Sequence, residues 1–588
     1  MSQLPLTREG EATAVALVVP LFDFDERGSH ALKRLNEENT DMASSNLSKR
    51  GRLLAVGGLA SVAALTLAGC VSTDGGSGDG GGGGAIIVGT TDKVTSLDPA
   101  GAYDNGSFAV MNQVYAFLLN SPAGSGDVEP DLAESAEFTA DGEYTVKLKE
   151  GLKFANGNDL TSSDVKFTFE RQMTIQDPNG PWSLLSSLDG PESIETPDDL
   201  TVVFHLNNGS DQTFPQVLSS PVGPIVDEDT FPADSLASDD DIVAANAFEG
   251  QYVITDYDFN NLISYAPNEE YQGMLGEPAT ADVTQQFFAE ASNMKLAIQQ
   301  GDIDVAYRSL SATDIDDLRG DENVNIVDGP GGETRYIVFN FNTMPFGAST
   351  PEADPAKALA VRQAMADSID RAAIADQVYK DTYTPLYSFV PQGVAGANEP
   401  LKTLYGDGNG GPDADKAAQR LADAGVETPV TLNLQYNPDH YGESSADEYA
   451  MIKSQLEETG LFTVNLQGTE WVQYQEDRAA DKYPLYQLGW FPDFSDADTY
   501  LSPFFLPENF LVNHFSDDAV TEAILAQRVE TDPDARAPLI ENAQDLVAQH
   551  LSTLPLLQGS QIAITGTDVD GAVLDGSFKF RYGTLTKG

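Results

Sequence analysis

The chain is poor in cysteine, histidine and basic residues: 588 residues hold one cysteine, five histidines, and 32 Lys plus Arg against 92 Asp plus Glu. A lone thiol excludes an internal disulfide, so an oxidising compartment threatens nothing. The scattered histidines form no ligand cluster, and each reads as a surface or satisfied structural residue. A formal charge of −60 repels nucleic acid and anionic membrane surfaces, which removes both as partners of the folded body. Also missing are a Gly-x-x-x-x-Gly-Lys phosphate loop, a His-Glu-x-x-His zinc pair and a Gly-x-Ser-x-Gly nucleophile elbow, so those enzyme chemistries have no carrier here. Carboxylate-only hydrolysis needs just two acids and stays open in so acidic a chain. Gly406-Asp407-Gly408-Asn409-Gly410-Gly411 formally matches a dinucleotide fingerprint, but it lacks a convincing preceding strand and Pro412 breaks the pattern. It reads as a loop, and an unsuitable one for calcium: Gly411 offers no side-chain oxygen and Pro412 stands where the turn needs glycine.

What is present begins with the single thiol. Lys49, Arg50 and Arg52 form a positive flank, Leu53 to Ala68 an apolar run too short to span a bilayer comfortably, and Leu67-Ala68-Gly69-Cys70 ends it. This resembles the lipobox of a bacterial lipoprotein signal peptide, in which the bond before the cysteine is cut and the thiol carries a diacylglycerol. The expected true start is Met42, since a signal peptide begins shortly before its flank. Val71 to Gly84 is almost wholly Gly, Ser and Asp. Such a stretch cannot bury enough apolar area to offset its ordering entropy, and it reads as a flexible tether.

The body from Ala85 to Gly588 is too long for one ordinary core, so two or three domains are expected. A hydrophobic content of 41% marks a folded chain, and no second apolar run of spanning length follows Cys70. Ala85 to Gly89 predicts a buried strand. Glu143 to Leu148 and Thr201 to Leu206 alternate, and with turn residues at Asp141-Gly142 and Asn156-Gly157 they predict an antiparallel region over about 120–210. Later the period changes. Val361, Met365 and Ile369 share a helical face. Asp413 to Ala424 starts after Pro412 and stops at Gly425, Glu448 to Glu458 is closed by Gly460, and Val430 to Gln435 is a strand between helices. The second half therefore reads as α/β.

Several ordered segments resemble the family 5 solute-binding proteins of peptide and nickel ABC importers. They are Ser96-Leu97-Asp98-Pro99, Pro130-Asp131-Leu132-Ala133-Glu134-Ser135, Leu148-Lys149-Glu150-Gly151-Leu152-Lys153-Phe154 with Asn156-Gly157, and Asp164-Val165-Lys166-Phe167-Thr168-Phe169. Gly301-Asp302-Ile303-Asp304-Val305-Ala306, Phe339-Asn340, Val361-Arg362-Gln363-Ala364 and the run from Glu470-Trp471 to Gly489-Trp490-Phe491-Pro492-Asp493 follow. The resemblance implies an α/β, class II periplasmic-binding-protein-like clamshell of two lobes, the first with an extra subdomain, closing on ligand about a hinge. It divides the chain into a signal segment 1–69, anchor and linker 70–84, lobe 1 over 85–118, an accessory subdomain 119–244, lobe 1 again over 245–335, lobe 2 over 336–554, and a return to lobe 1 over 555–588. It further implies a monomeric, extracytoplasmic binding protein rather than an enzyme, held to the membrane through the lipid alone. It brings no cofactor and no metal. Its partners are a peptide ligand and separate permease and ATPase subunits.

In peptide-binding members, the aspartate three residues after the Gly-Trp tryptophan pairs with the ligand's α-ammonium, and Asp493 occupies that place beside Gly489 and Trp490. The competing reading is that Asp493, Asp496 and Asp498 are only an acidic loop. Trp471 and Trp490 are expected to wall side-chain pockets, with core packing as the alternative for each. Tyr103 and Asn342 lie in segments that approach the cleft in this family. Phe491-Pro492 departs from the small residues usual there, which narrows or reshapes the pocket. Arg478 reads as a surface residue, and no carboxylate anchor is evident. The same fold binding an oligosaccharide, nickel chelate or haem is the alternative within the class. A lipoprotein hydrolase or a chemosensory or adhesive receptor lies outside it.

Overall fold

The computed structural model describes residues 84–588 apart from Ser309 and Glu443. Cys70 with its lipobox, the Met42 start and the tether up to Gly83 lie outside the described residues. Among those described, no helix is long and apolar enough to cross a membrane.

One sheet of eleven strands runs through the whole body. In spatial order its main path is Phe462–Gly468, Val430–Tyr436, Leu485–Trp490, Val324–Phe339, Thr553–Gly566, Val305–Tyr307, Ile86–Thr90, Val283–Phe287, Leu262–Pro267 and Tyr252–Asp258. The two central strands are long, 16 and 14 residues, and belong to both halves. The first part of Val324–Phe339 pairs with the end of Thr553–Gly566, beside Val305–Tyr307. Its last part, Thr334 to Phe339, pairs with Leu485–Trp490. Between these stretches the register shifts at Gly329/Gly331 and Gly331/Glu333. Gly329-Pro330-Gly331-Gly332 interrupts the ladder there, as glycine and proline do within strands. The chain thus crosses between lobes twice, through one adjacent antiparallel pair with a glycine-rich joint.

Each lobe has its own core. In lobe 1, Ile86, Val88, Val110, Ile263, Val283 and Val305 pack together. In lobe 2, Ile337, Val361, Met365, Leu432, Ile452 and Leu485 do so, with a second, aromatic core of Tyr336, Tyr486, Tyr500, Phe504 and Phe505. The extra subdomain is a four-stranded antiparallel sheet, Ala133–Ala140, Glu143–Leu148, Thr201–His205 and Ile194–Asp198 in spatial order, covered by the helix Ser162–Ile175. Its core is Val146, Leu148, Phe169, Val202, Phe204 and Phe214.

Local signals in the sequence translate directly. Asp413 caps the helix Ala414–Asp423 by accepting from the Lys416 amide, as an Asp before a helix should. The apolar period over 361–369 falls in the helix Pro355–Ser368, which ends one residue before Ile369. The helix over 448–458 begins earlier than its pattern, at Ser444.

Candidate ligand-binding cleft

In lobe 1 the strands Val283–Phe287, Ile86–Thr90 and Val305–Tyr307 run parallel. In lobe 2, Phe462–Gly468, Val430–Tyr436 and Leu485–Trp490 do so. Ligands of open α/β sheets sit outside the carboxyl ends of such strands. Those ends lead into Asp92 and Tyr103, and Arg308, from lobe 1, and into His440 and Tyr441, Trp471, and Phe491 and Asp493 from lobe 2.

Two of the expected residues meet there. The Tyr103 hydroxyl donates a hydrogen bond to the Asp493 carboxylate, joining the lobes across the cleft. Tyr103 follows the Leu97-Asp98-Pro99 segment in the chain. Asp98 accepts from the Ala100 amide at 3.0 Å and takes a bidentate ion pair from Arg171 of the subdomain helix, at 2.8 and 2.6 Å. Tyr103 is 41% exposed, yet burial pushes its hydroxyl well above the usual phenol range, helped by the Asp493 charge.

The three acids after Trp490 have different fates. Asp496 forms a two-point ion pair with Arg536, at 2.6 and 2.8 Å. Asp498 accepts from Gln527 at 2.5 Å and Ser502 at 2.7 Å, with Arg528 at 3.9 Å. Asp493 has no Lys, Arg or His within ion-pair distance among the described residues, and the Tyr103 hydroxyl is its side-chain donor. Burial raises its carboxyl to about 7, with the Tyr103 hydrogen bond working the other way. A desolvated carboxylate lacking a counter-charge is held partly protonated until a cation arrives.

Trp471 opens the helix Trp471–Ala479, with its amide on the Asp439 carboxylate at 3.1 Å. Its ring stacks on His440 at 3.8 Å and 5°, and meets Tyr441 edge-on at 5.5 Å. Gly489 lies under Tyr441: a Cβ there would come within 2.9 Å of the ring and 3.2 Å of the Thr334 carbonyl. Trp490 turns its ring to the aromatic core of lobe 2, 4.9 Å from Phe504 and 5.7 Å from Phe510, and its Nε1 is buried with no hydrogen-bond partner among the described residues. Phe491 reaches across the cleft, with the Phe578 ring 5.7 Å away and the Arg308 guanidinium 4.8 Å over its face.

Asn342 is not brought to this group. Thr334 stands opposite Trp490 and Phe339 opposite Leu485, so Asn342 lies past the far end of the strand. There its amide donates to Asn340 at 2.9 Å, beside the Asp481 carboxylate that binds Asn340 and His514. Arg478 is not a surface residue: it is 7% exposed and donates to the carbonyls of Phe510 and Leu511 at 2.9 and 3.2 Å. It closes a loop of lobe 2, which its place on the amphipathic helix did not reveal.

The groups at the joint carry little local signature. Arg335 is enclosed by Glu333 at 3.2 Å, Glu448 at 3.8 Å, the Tyr441 carbonyl at 2.8 Å and the rings of Tyr379, Tyr383 and Tyr441. The glycine run before Glu333 was the one available signal. Among the described residues no cluster of acids, histidines or cysteines is arranged to hold a metal ion.

Residues 127–511 match the family described as Bacterial extracellular solute-binding proteins, family 5 Middle. Haem-binding protein A of Haemophilus influenzae is 27% identical over 79% of this chain and 85% of its own length. The dipeptide-binding protein DppE of Bacillus subtilis is 23% identical over 88% and 95%. Among solved structures, the periplasmic binding protein DppA of Helicobacter pylori, in complex with the peptide STSA, superposes with a TM-score of 0.68 at 20% identity, covering 86% of this chain and 98% of that one. With the two-lobed sheet, the doubled crossover and a match over most of the body, the chain belongs to the bacterial extracellular solute-binding proteins of family 5.

Proposed function

We propose that this protein captures short peptides with a free α-amine in the cleft between its lobes and delivers them to a separate ABC permease driven by its own ATPases. The observation that carries the reading is the Asp493 carboxylate: half-buried, without a basic partner among the described residues, and reached from the opposite lobe by Tyr103. A ligand ammonium supplies the missing counter-charge through charge-assisted hydrogen bonds. Trp471, stacked on His440, and Phe491 give apolar walls that tolerate varied side chains. Relatives named for dipeptide binding support the same ligand class. Cys70 serves as the lipidated anchor of a monomer on the outer face of the cytoplasmic membrane, with two or more acyl chains giving firm attachment.

Calorimetry with matched free and N-acetylated peptides tests this. Free peptides should bind the wild-type chain at least tenfold more tightly, and Asp493→Asn should remove that difference. Equal affinity for both ligand forms refutes the assignment of Asp493.

A further inference from the structure

The ammonium end of such a ligand has a site; its carboxylate needs another. Three cations stand at or near the strand ends facing the cleft. Lys93 is exposed and lies over the Phe287 ring at 6.0 Å. Arg335 is already enclosed by two carboxylates, a carbonyl and three tyrosine rings. Arg308 differs from both. It follows Val305–Tyr307 directly and takes a left-handed φ of 66°, rare for a side chain of this size. Its one ion pair among the described residues has Nε closest to Asp92, at 3.0 Å, and 28% of the side chain is accessible. Among the described residues, the neighbouring Tyr307 hydroxyl is the group that takes a hydrogen bond from the guanidinium. The guanidinium carbon stands 4.8 Å from the centre of the Phe491 ring.

We propose that Arg308 binds the anionic end of the ligand, a peptide C-terminal carboxylate, through its terminal nitrogens while Asp92 and Phe491 hold the guanidinium in place. The inference rests on the peptide reading above. A guanidinium presents paired donors that match a carboxylate. An ion pair closest at Nε leaves the Nη edge for the ligand, and the neighbouring aromatic ring steadies the cation. Backbone in the left-handed region is characteristic of residues held for function, and here it follows a strand end that feeds the cleft. Phe491 and Asp493 are two residues apart, so their Cα atoms are at most about 7 Å apart. A short peptide therefore reaches both the Asp493 carboxylate and the guanidinium above Phe491. Its amine is held by lobe 2 and its carboxylate by lobe 1, so the ligand's own dipole draws the clamshell shut. The bulky Phe491 becomes a support for the arginine.

The test is calorimetry of full-length protein with trialanine, its N-acetyl form and its C-terminal amide, on wild type, Arg308→Met and Arg308→Lys. Amidation is expected to weaken wild-type binding about ten- to a hundredfold. Arg308→Met should bind acid and amide alike, and Arg308→Lys should keep part of the preference. N-acetylation should still weaken both variants, which separates this site from that of Asp493. Equal wild-type affinity for acid and amide overturns the inference, as does a tenfold preference surviving in Arg308→Met, and either result leaves the peptide reading standing. No binding of trialanine at all overturns both. Thermal melts that overlay wild type would show that the variants fold.

Discussion

If Asp493 must be ionised to hold an ammonium, acid should weaken binding long before it unfolds the protein. Burial places its carboxyl at about 7. About 1% is then ionised at pH 5 and about half at pH 7, and apparent affinity scales with the competent fraction. The ligand amine, with an ordinary pKa of about 7.7, loses about a sixth of its charge by pH 7. Affinity for a free peptide should thus rise about fortyfold from pH 5 to 7, or about 2 kcal/mol, peak near pH 7.4 and fall above pH 8. Binding at pH 6 should release about 0.9 proton, seen as a dependence of calorimetric heat on the buffer's ionisation enthalpy. Asp493→Asn should bind weakly with a flat profile below pH 7. The stability of the ligand-free chain carries the opposite sign. An acid whose folded pKa lies above its unfolded value favours the fold at low pH, and that advantage fades as pH rises from about 4 to about 7. Asp493→Asn should therefore gain on wild type across this window. A wild-type affinity that is flat from pH 5 to 7 refutes the reasoning, because a carboxyl with an ordinary pKa is already ionised at pH 5.

Other outcomes follow from the joints between the lobes. Arg528 of the helix Asp518–Arg528 pairs with Asp211 of the subdomain, both enclosed. Asp211→Ala should cost about 3–5 kcal/mol in chemical denaturation, and Arg528→Met added to it should recover much of the loss; additive losses would mean the pair is not coupled. Gly331 sits where a Cβ would meet the Gly559 carbonyl at 2.2 Å. Gly331→Ala should lower stability by about 1–3 kcal/mol, and an unchanged melting temperature would mean that the joint has room to spare. Cys70→Ser should move the protein from the membrane to the soluble fraction of expressing cells, and continued membrane association would refute the lipid anchor.

Much of the fold was legible because it is locally encoded. Asp413 and Pro412 mark a helix start, and alternation over 143–148 and 201–205 marks strands of one antiparallel sheet. Several family segments prove to be structural fastenings. Asp98 takes Arg171, Asp164 completes a capping box with Thr161, and Arg362 holds the His550 carbonyl. The two long crossing strands were not legible, because Gly329-Pro330-Gly331-Gly332 reads as a turn. The ladder accommodates it through register shifts between two lobes that each need a continuous edge.

The sequence by itself determined the class of the body, its repelling charge, and an aspartate at the right distance from a Gly-Trp pair. It could not distinguish Asp493 from Asp496 and Asp498, since all three are the same residue in one acidic run. The tertiary structure did so by giving Arg536 to one, Gln527 and the nearby Arg528 to another, and only a tyrosine to the third. It also brought Arg308 beside Phe491, 183 positions further along the chain. A side chain's type is written locally. Whether its charge is neutralised depends on what the fold carries to it from far away, and only the folded chain decides that.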